Sequence, residues 1–182
     1  MIFLNQDFLE KKVKKSTLLA VAAAFALPAA WGAIQTSPQY APTGTHLQSG
    51  TPGCSVSGYI VTCAGYDLAG VGKTNATATL LTTYTGTVIC TNPGGNVAPG
   101  QTRPASASTS SPKLQSKNGK MTVPILTSTS DTATIEALLK MNTTCPNPKW
   151  KPSVEPGSIE LVSYMYTLQF DGYGGNYLVI TP

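Results

Sequence analysis

Charge is the first thing this chain is short of: Asp, Glu, Lys and Arg make up 11% of its 182 residues, against roughly 25% in an average soluble domain. Histidine is nearly missing too. The one copy, His46, stands in a stretch of Pro, Gly, Ser, Thr and Gln, so a Ser-His-Asp arrangement has almost no material. Beyond the N-terminal segment the acids are Asp67, Asp131, Glu136, Glu155, Glu160 and Asp171. No two of them fall in a motif for paired-carboxylate hydrolysis. Glu160 shares the apolar register of its strand but opens it, where a rim position accounts for it. No Cys-x-x-Cys knuckle is present, which argues against zinc on Cys54, Cys63, Cys90 and Cys145. Gly94-Gly95 and Pro99-Gly100 are not followed by Lys-Ser/Thr or by a helix start, so tight turns explain them better than a phosphate loop. Past residue 27 no apolar run approaches the roughly 20 residues that span a bilayer. The expectation is a mature chain with no catalytic, cofactor or metal residues and no transmembrane segment.

The basic balance is mostly local. Of the 12 basic and 8 acidic residues, Lys11, Lys12, Lys14, Lys15, Asp7 and Glu10 lie at the N-terminus, which leaves 8 and 6 in the remainder. So small an excess argues for neither nucleic acid nor an anionic membrane as partner. Residues 1–33 have the three parts of a secretory signal: a basic stretch at 11–15, an apolar stretch at 18–27, and small residues ending in Ala30-Trp31-Gly32. Ala24-Phe25-Ala26 is an alternative cleavage site that would shorten the apolar part; a retained N-terminal helix is the competing reading. The first twelve residues are long for such a leader, and a start at Val13 instead of Met1 would give one of ordinary bacterial length. Export makes four cysteines read as two disulfides, in a connectivity that the count alone leaves open.

What the chain has in plenty is threonine and period-two patterning. Residues 74–90 alternate Ala76, Ala78, Leu80, Thr82, Tyr84, Gly86, Val88 and Cys90 with a second set that is mostly threonine. That is a strand with one buried and one wet face, threonine favouring extended backbone while its hydroxyl stays hydrated. Its length predicts a bend or bulge near Gly86. Before it, residues 34–53 carry few large apolar side chains and read as a flexible N-terminal arm. Residues 54–63 read as a hairpin about Ser57-Gly58, and 65–71 as a short strand.

After it, residues 92–111 read as a Gly/Pro/Ser-rich connection with a weak edge strand at 105–109. Lys117-Asn118-Gly119-Lys120 is a hairpin turn, since Asn-Gly accepts the positive φ such turns need. Met121, Val123 and Ile125 then alternate with Thr122, Pro124 and Leu126, in a strand that lies at an edge or breaks at Pro124. Residues 131–141 form the one helix, with Asp131 as N-cap and Ile135, Leu138 and Leu139 on one face. A second long strand, 158–170, puts Val162, Tyr164, Tyr166, Leu168 and Phe170 together; a turn at Asp171-Gly172 leads to a last strand at 177–181. The fold expected over residues 54–182 is mainly β: an antiparallel, immunoglobulin-like β-sandwich of about seven or eight strands with one short helix. A barrel is the structural alternative.

Three fragments occur in order: Cys90-Thr-Asn-Pro-Gly-Gly-Asn-Val-Ala-Pro-Gly-Gln101, Lys117-Asn118-Gly119 and Cys145-Pro-Asn-Pro-Lys-Trp150. Together they resemble a group of small secreted bacterial β-rich proteins with C-x-N-P-G-G-N-x-A-P-G-Q and C-P-N-x-x-W motifs. The resemblance covers roughly residues 63–170. It implies export, β structure and a Cys90–Cys145 bridge, and it brings no activity with it. The group's frequent last cysteine near the C-terminus has no counterpart here, while Cys54 does not belong to the pattern. Cys54 and Cys63 belong to adjacent hairpin arms and can pair without long-range chain closure, and the inward register of Cys90 agrees with a partner from the core side.

Aromatic residues supply the remaining candidates. Trp150, Tyr173 and Tyr177 are the residues placed to stack on a sugar, Tyr173 and Tyr177 because they flank a glycine-rich turn; Tyr164 and Tyr166 fall in the core register. Asn75-Ala-Thr77 and Asn142-Thr-Thr144 match the glycosylation sequon by chance in a threonine-rich chain. The reading that results is a secreted or periplasmic protein without catalysis, in a structural or interaction role at the cell surface. Its partner would be a surface protein or a polysaccharide, and the alternative is a carbohydrate-binding module.

Overall fold

The computed structural model describes residues 32–128 and 131–182. The leader and the choice of start codon therefore fall outside the described residues, except for Gly32 and Ala33. Among those residues there are twelve strands and one α-helix: β1 (Ala33–Thr36), β2 (His46–Gly50), β3 (Cys54–Ser57), β4 (Ile60–Cys63), β5 (Tyr66–Ala69), β6 (Ala76–Thr91), β7 (Gln101–Ser110), β8 (Lys120–Val123), β9 (Leu126–Thr127), α1 (Thr132–Met141), β10 (Lys151–Val154), β11 (Glu160–Phe170) and β12 (Leu178–Thr181). The chain is mainly β, and every strand pairing is antiparallel.

β6 is the axis of the molecule. Its residues alternate buried and half-buried along all sixteen positions, and it pairs with β11 on one edge and β7 on the other. β12 and then β1 extend the sheet past β11, while β10 joins β6 beyond the point where β11 stops. Two three-stranded sheets, β2-β5-β8 and β3-β4-β9, face one half of this large sheet. They are two parts of one bent layer, because β4 runs into β5 through Ala64-Gly65, and β8 into β9 through Pro124-Ile125. Gly65 permits the close approach at the bend: a Cβ there would lie 2.9 Å from the Val123 carbonyl oxygen.

The core between the layers joins Val61, Tyr66, Leu68, Met121 and Val123 to Leu80, Tyr166, Leu168, Phe170 and Ile180. The other half of the large sheet is covered by α1, whose Ile135 and Leu139 pack on Tyr84, Val88 and Ala105. Asp131 caps α1 by accepting from the Ala133 amide. Thr77, Thr79, Thr83, Thr85 and Thr87 line the opposite face. There Thr79 meets Ser110 at 3.1 Å, and Thr83 meets Ser106 at 3.3 Å.

Several expectations are corrected. Residues 34–53 are not a loose arm: β1 completes the large sheet against β12, and β2 completes a small one against β5. Composition reports how little apolar surface the segment buries, but main-chain bonds to ready-made sheet edges hold it. The weak strand expected at 105–109 is the ten-residue β7, and β10 was not foreseen. Gly86 marks no bulge, since the β6–β7 register runs unbroken past it. A Cβ there would lie 2.7 Å from Cδ1 of Leu139, so glycine makes room for the helix. The bulge sits instead in β11, between Leu161 and Ser163, and turns Val162 out to 60% exposure. Pro124 ends β8, so Ile125 faces out and Leu126 takes the buried position. Asn118 and Gly119 have φ of 52° and 75°, the primed hairpin turn expected of Asn-Gly.

Candidate functional site

The sandwich opens where the two layers end in β1 and β2. Ile34 and Thr36 stand opposite Ile180 and Leu178 in the inward register of β1, and Leu47 stands opposite Leu68. Between them opens an apolar slot of about 300 Å³. Tyr66, Leu68, Tyr177 and Leu178 form its buried floor, and Ile34 and Leu47 are its half-exposed lips, 45% and 46% accessible. Beneath the slot the hydroxyls of Tyr66 and Tyr166 meet at 3.1 Å. Burial pushes the Tyr166 phenol up to about 12, and pushes Tyr66 higher still, with Tyr166 beside it adding to the effect. Both phenols stay neutral at ordinary pH. Among the described residues no charged side chain lines the slot.

The proposed sugar-stacking residues are not brought together. Tyr177 is buried, edge-on to Phe170 at 5.6 Å, and belongs to the slot floor. The apolar face of Phe170 holds it, which the nearby glycines did not disclose. Tyr173 also packs edge-on against Phe170, at 6.4 Å, and is partly buried. Trp150 is at the far end of the large sheet, beside β10, whose Lys151 pairs with Thr91, whereas Phe170 pairs with Ala76. The β6 rise separates the two ends by roughly 50 Å. Trp150 itself stays half-buried beside an open depression of about 450 Å³ that Thr143, Asn147 and Pro148 also line.

The four cysteines pair as Cys54–Cys63 and Cys90–Cys145. The first staples directly opposed residues of the β3–β4 hairpin. The second ties the end of β6 to the segment after α1 and brings the two motif fragments to one tip. There the motif residues mostly bond one another. The Asn96 amide donates to Oδ1 of Asn92, the Asn92 amide to the Asn96 carbonyl, and the Ala98 amide to the Cys90 carbonyl. The depression beside this turn, about 410 Å³, is flanked by Lys149 and Lys151.

Four of the other polar candidates, Asp67, Asp171, Glu136 and His46, have structural partners. Asp67 accepts from the Ser49 and Thr122 hydroxyls, which tie it to β2 and β8 and hold its carboxyl below the usual range. Asp171 pairs with Lys113, and Glu136 with Lys140. Nδ1 of His46 lies 2.8 Å from the Gly44 carbonyl, in an exposed position. Among the described residues no group of three or more His, Cys, Asp or Glu is placed to hold a metal ion, and no helix is long and apolar enough to cross a membrane.

Sequence reasoning missed the slot. Its signal was Ile34 and Leu47, large apolar residues in an otherwise polar stretch, each at the centre of too short a pattern to be read as a strand. No protein-family model matches the chain, and neither does any curated protein or solved structure.

Proposed function

We propose that this is an exported, non-catalytic β-sandwich protein of the bacterial cell exterior, with a structural or interaction role at the cell surface. The observation that carries the reading is the open edge of β1 above the uncharged apolar slot. Main-chain donors and acceptors beside apolar holes are what an extended segment of another chain binds to. Two disulfides support an oxidising compartment, the periplasm or the outside. The leader-like residues 1–33 and the resemblance carried by the Cys90 and Cys145 fragments support it too. The test is to express the chain with its own N-terminus in a bacterial host, fractionate the cells, and determine mass and thiol content. The expected product begins near Ala33 or Ile34, has no free thiol and is retained at the cell exterior. A full-length, reduced, cytoplasmic product would overturn the proposal.

Carbohydrate binding remains the second reading, and Trp150 beside its open depression favours it. It predicts retention on an insoluble polysaccharide that Trp150→Ala abolishes. Retention unchanged in that variant would remove it.

A further inference from the structure

We infer that the edge of β1 is a self-association surface, and that its partner is β1 of a second copy of this chain, antiparallel about a two-fold axis through Gln35. This deepens the interaction role proposed above and rests on that reading for where the copies meet and for a mature chain that begins near Ala33.

The register decides which groups are free. The Ser37 amide donates to the Tyr177 carbonyl, so Ser37 and Tyr177 are a hydrogen-bonded pair. Alternation along an antiparallel ladder then assigns Gln35 and Ala33 to bonds with β12. It turns the N–H and C=O of Ile34 and Thr36 away, toward the open edge. In an antiparallel dimer centred on Gln35, Ile34 faces Thr36 of the second copy, and each residue both donates and accepts. The pattern is self-complementary, as a two-fold interface requires. The side chains of Ile34 and Thr36 already line the slot, so the incoming strand lays its own Ile34 across the mouth beside Leu47. The two slots then meet at the axis, and the half-exposed lips are covered.

Charge agrees. A surface that meets itself across a two-fold cannot carry charge of one sign at its centre, and neither β1 (Ala-Ile-Gln-Thr) nor the slot carries any. Four of the six other sheet edges among the described residues are blunted in the ways sheet proteins use. β2 carries a bulge between Leu47 and Ser49, β8 carries Lys120, and β10 carries Lys151 and Pro152. On β7 the Ser111 amide donates to the Ala78 carbonyl, which places Pro104 among the outward-facing residues. Its carbonyl is taken by Nδ2 of Asn142 at 3.0 Å. β1 is short but carries no bulge, proline or charge; the short edges β3 and β9 lack them too, but neither lines the slot. A four-residue edge with two lips falls short of the roughly 1,000 Å² of a stable interface, so the pairing is weak and depends on concentration.

The test is sedimentation of the folded, disulfide-intact chain beginning at Ala33, up to about 1 mM. Alongside it, amide exchange is measured at low and high protein concentration. The expected result is a monomer–dimer equilibrium in which the Ile34 and Thr36 amides gain protection with concentration, while the Gln35 amide is protected throughout. Thr36→Pro removes an amide that the β12 ladder does not use, and Ile34→Lys puts like charges at the axis. Each should weaken the dimer by at least about tenfold. A monomer at every concentration would overturn the inference. So would a dimer that leaves Ile34 and Thr36 exchange unchanged; if Ser108→Pro abolished that dimer, the contact would lie on β7. Surface retention of a strictly monomeric protein would leave the proposed role standing and remove only this partner.

Discussion

The two disulfides differ in what they do for stability, and the difference can be calculated. Cys90–Cys145 closes a loop of sequence separation 55, and Cys54–Cys63 one of 9. On the chain-entropy model the first removes unfolded-state freedom equivalent to about 4.2 kcal/mol at 25 °C, and the second about 2.6 kcal/mol. Local packing does not reverse the order. Cys54, Cys63 and Cys90 are all nearly inaccessible and Cys145 is half-buried, so replacing either pair by alanine removes similar buried sulfur. Cys90→Ala/Cys145→Ala should therefore lose about 1.5 kcal/mol more than Cys54→Ala/Cys63→Ala. For a domain of this size each kcal/mol lowers Tm by about 2–4 °C. The expected difference between the two double variants is thus about 3–6 °C. Urea unfolding of the wild type and both variants, with m-values compared, measures it directly. An equal loss, or a larger loss from the hairpin pair, would refute the reasoning and point to residual structure holding the 90–145 loop closed in the unfolded chain.

Gly86→Ala should destabilise the protein by about 1–3 kcal/mol, because the new methyl meets Leu139, which is wholly buried on α1; a thermal melt indistinguishable from wild type would contradict this. Tyr66→Phe should cost about 1–3 kcal/mol by leaving the Tyr166 hydroxyl unpaired, while Tyr66→Phe/Tyr166→Phe should recover most of it in a double-mutant cycle. The Asp67 carboxyl has its folded pKa depressed by the Ser49 and Thr122 hydroxyls. Its contribution is present above the unfolded aspartate pKa and is lost as pH falls through the depressed value; Asp67→Asn should flatten that acid limb in pH-dependent unfolding, and an unchanged limb would show that the β2–β5–β8 tie does not depend on the charge.

The long strands were legible because burial is written into alternate residues. β6 shows this along its whole length, and β11 shows it until the bulge at Leu161/Ser163 reverses the phase for Val162. α1 was legible from Asp131 and the spacing of Ile135 and Leu139. β7 was legible only as a weak edge strand at 105–109, because its side chains are small and hydroxylated: Ser106, Ser108 and Ser110 carry no hydrophobic signal, and what makes the full length a strand is the ladder supplied by β6. β1 and β2 were hidden for the same reason, and the slot between them with them. The disulfide pairing could be read because Cys54 and Cys63 are hairpin neighbours. Tyr177 was misplaced because a glycine-rich turn reports backbone freedom and says nothing of the Phe170 ring that the tyrosine meets.

The pairing of β1 with β12 has a consequence for the order of assembly. These are the first and last strands described, and among the described residues β1 pairs with β12 alone. A chain made from its N-terminus exposes the Ala-Ile-Gln-Thr segment long before the residues that receive it exist. Loop-closure entropy delays so distant a contact further. β1 should therefore be the last strand to dock, so that β12, once paired with β11, presents an open edge until β1 arrives.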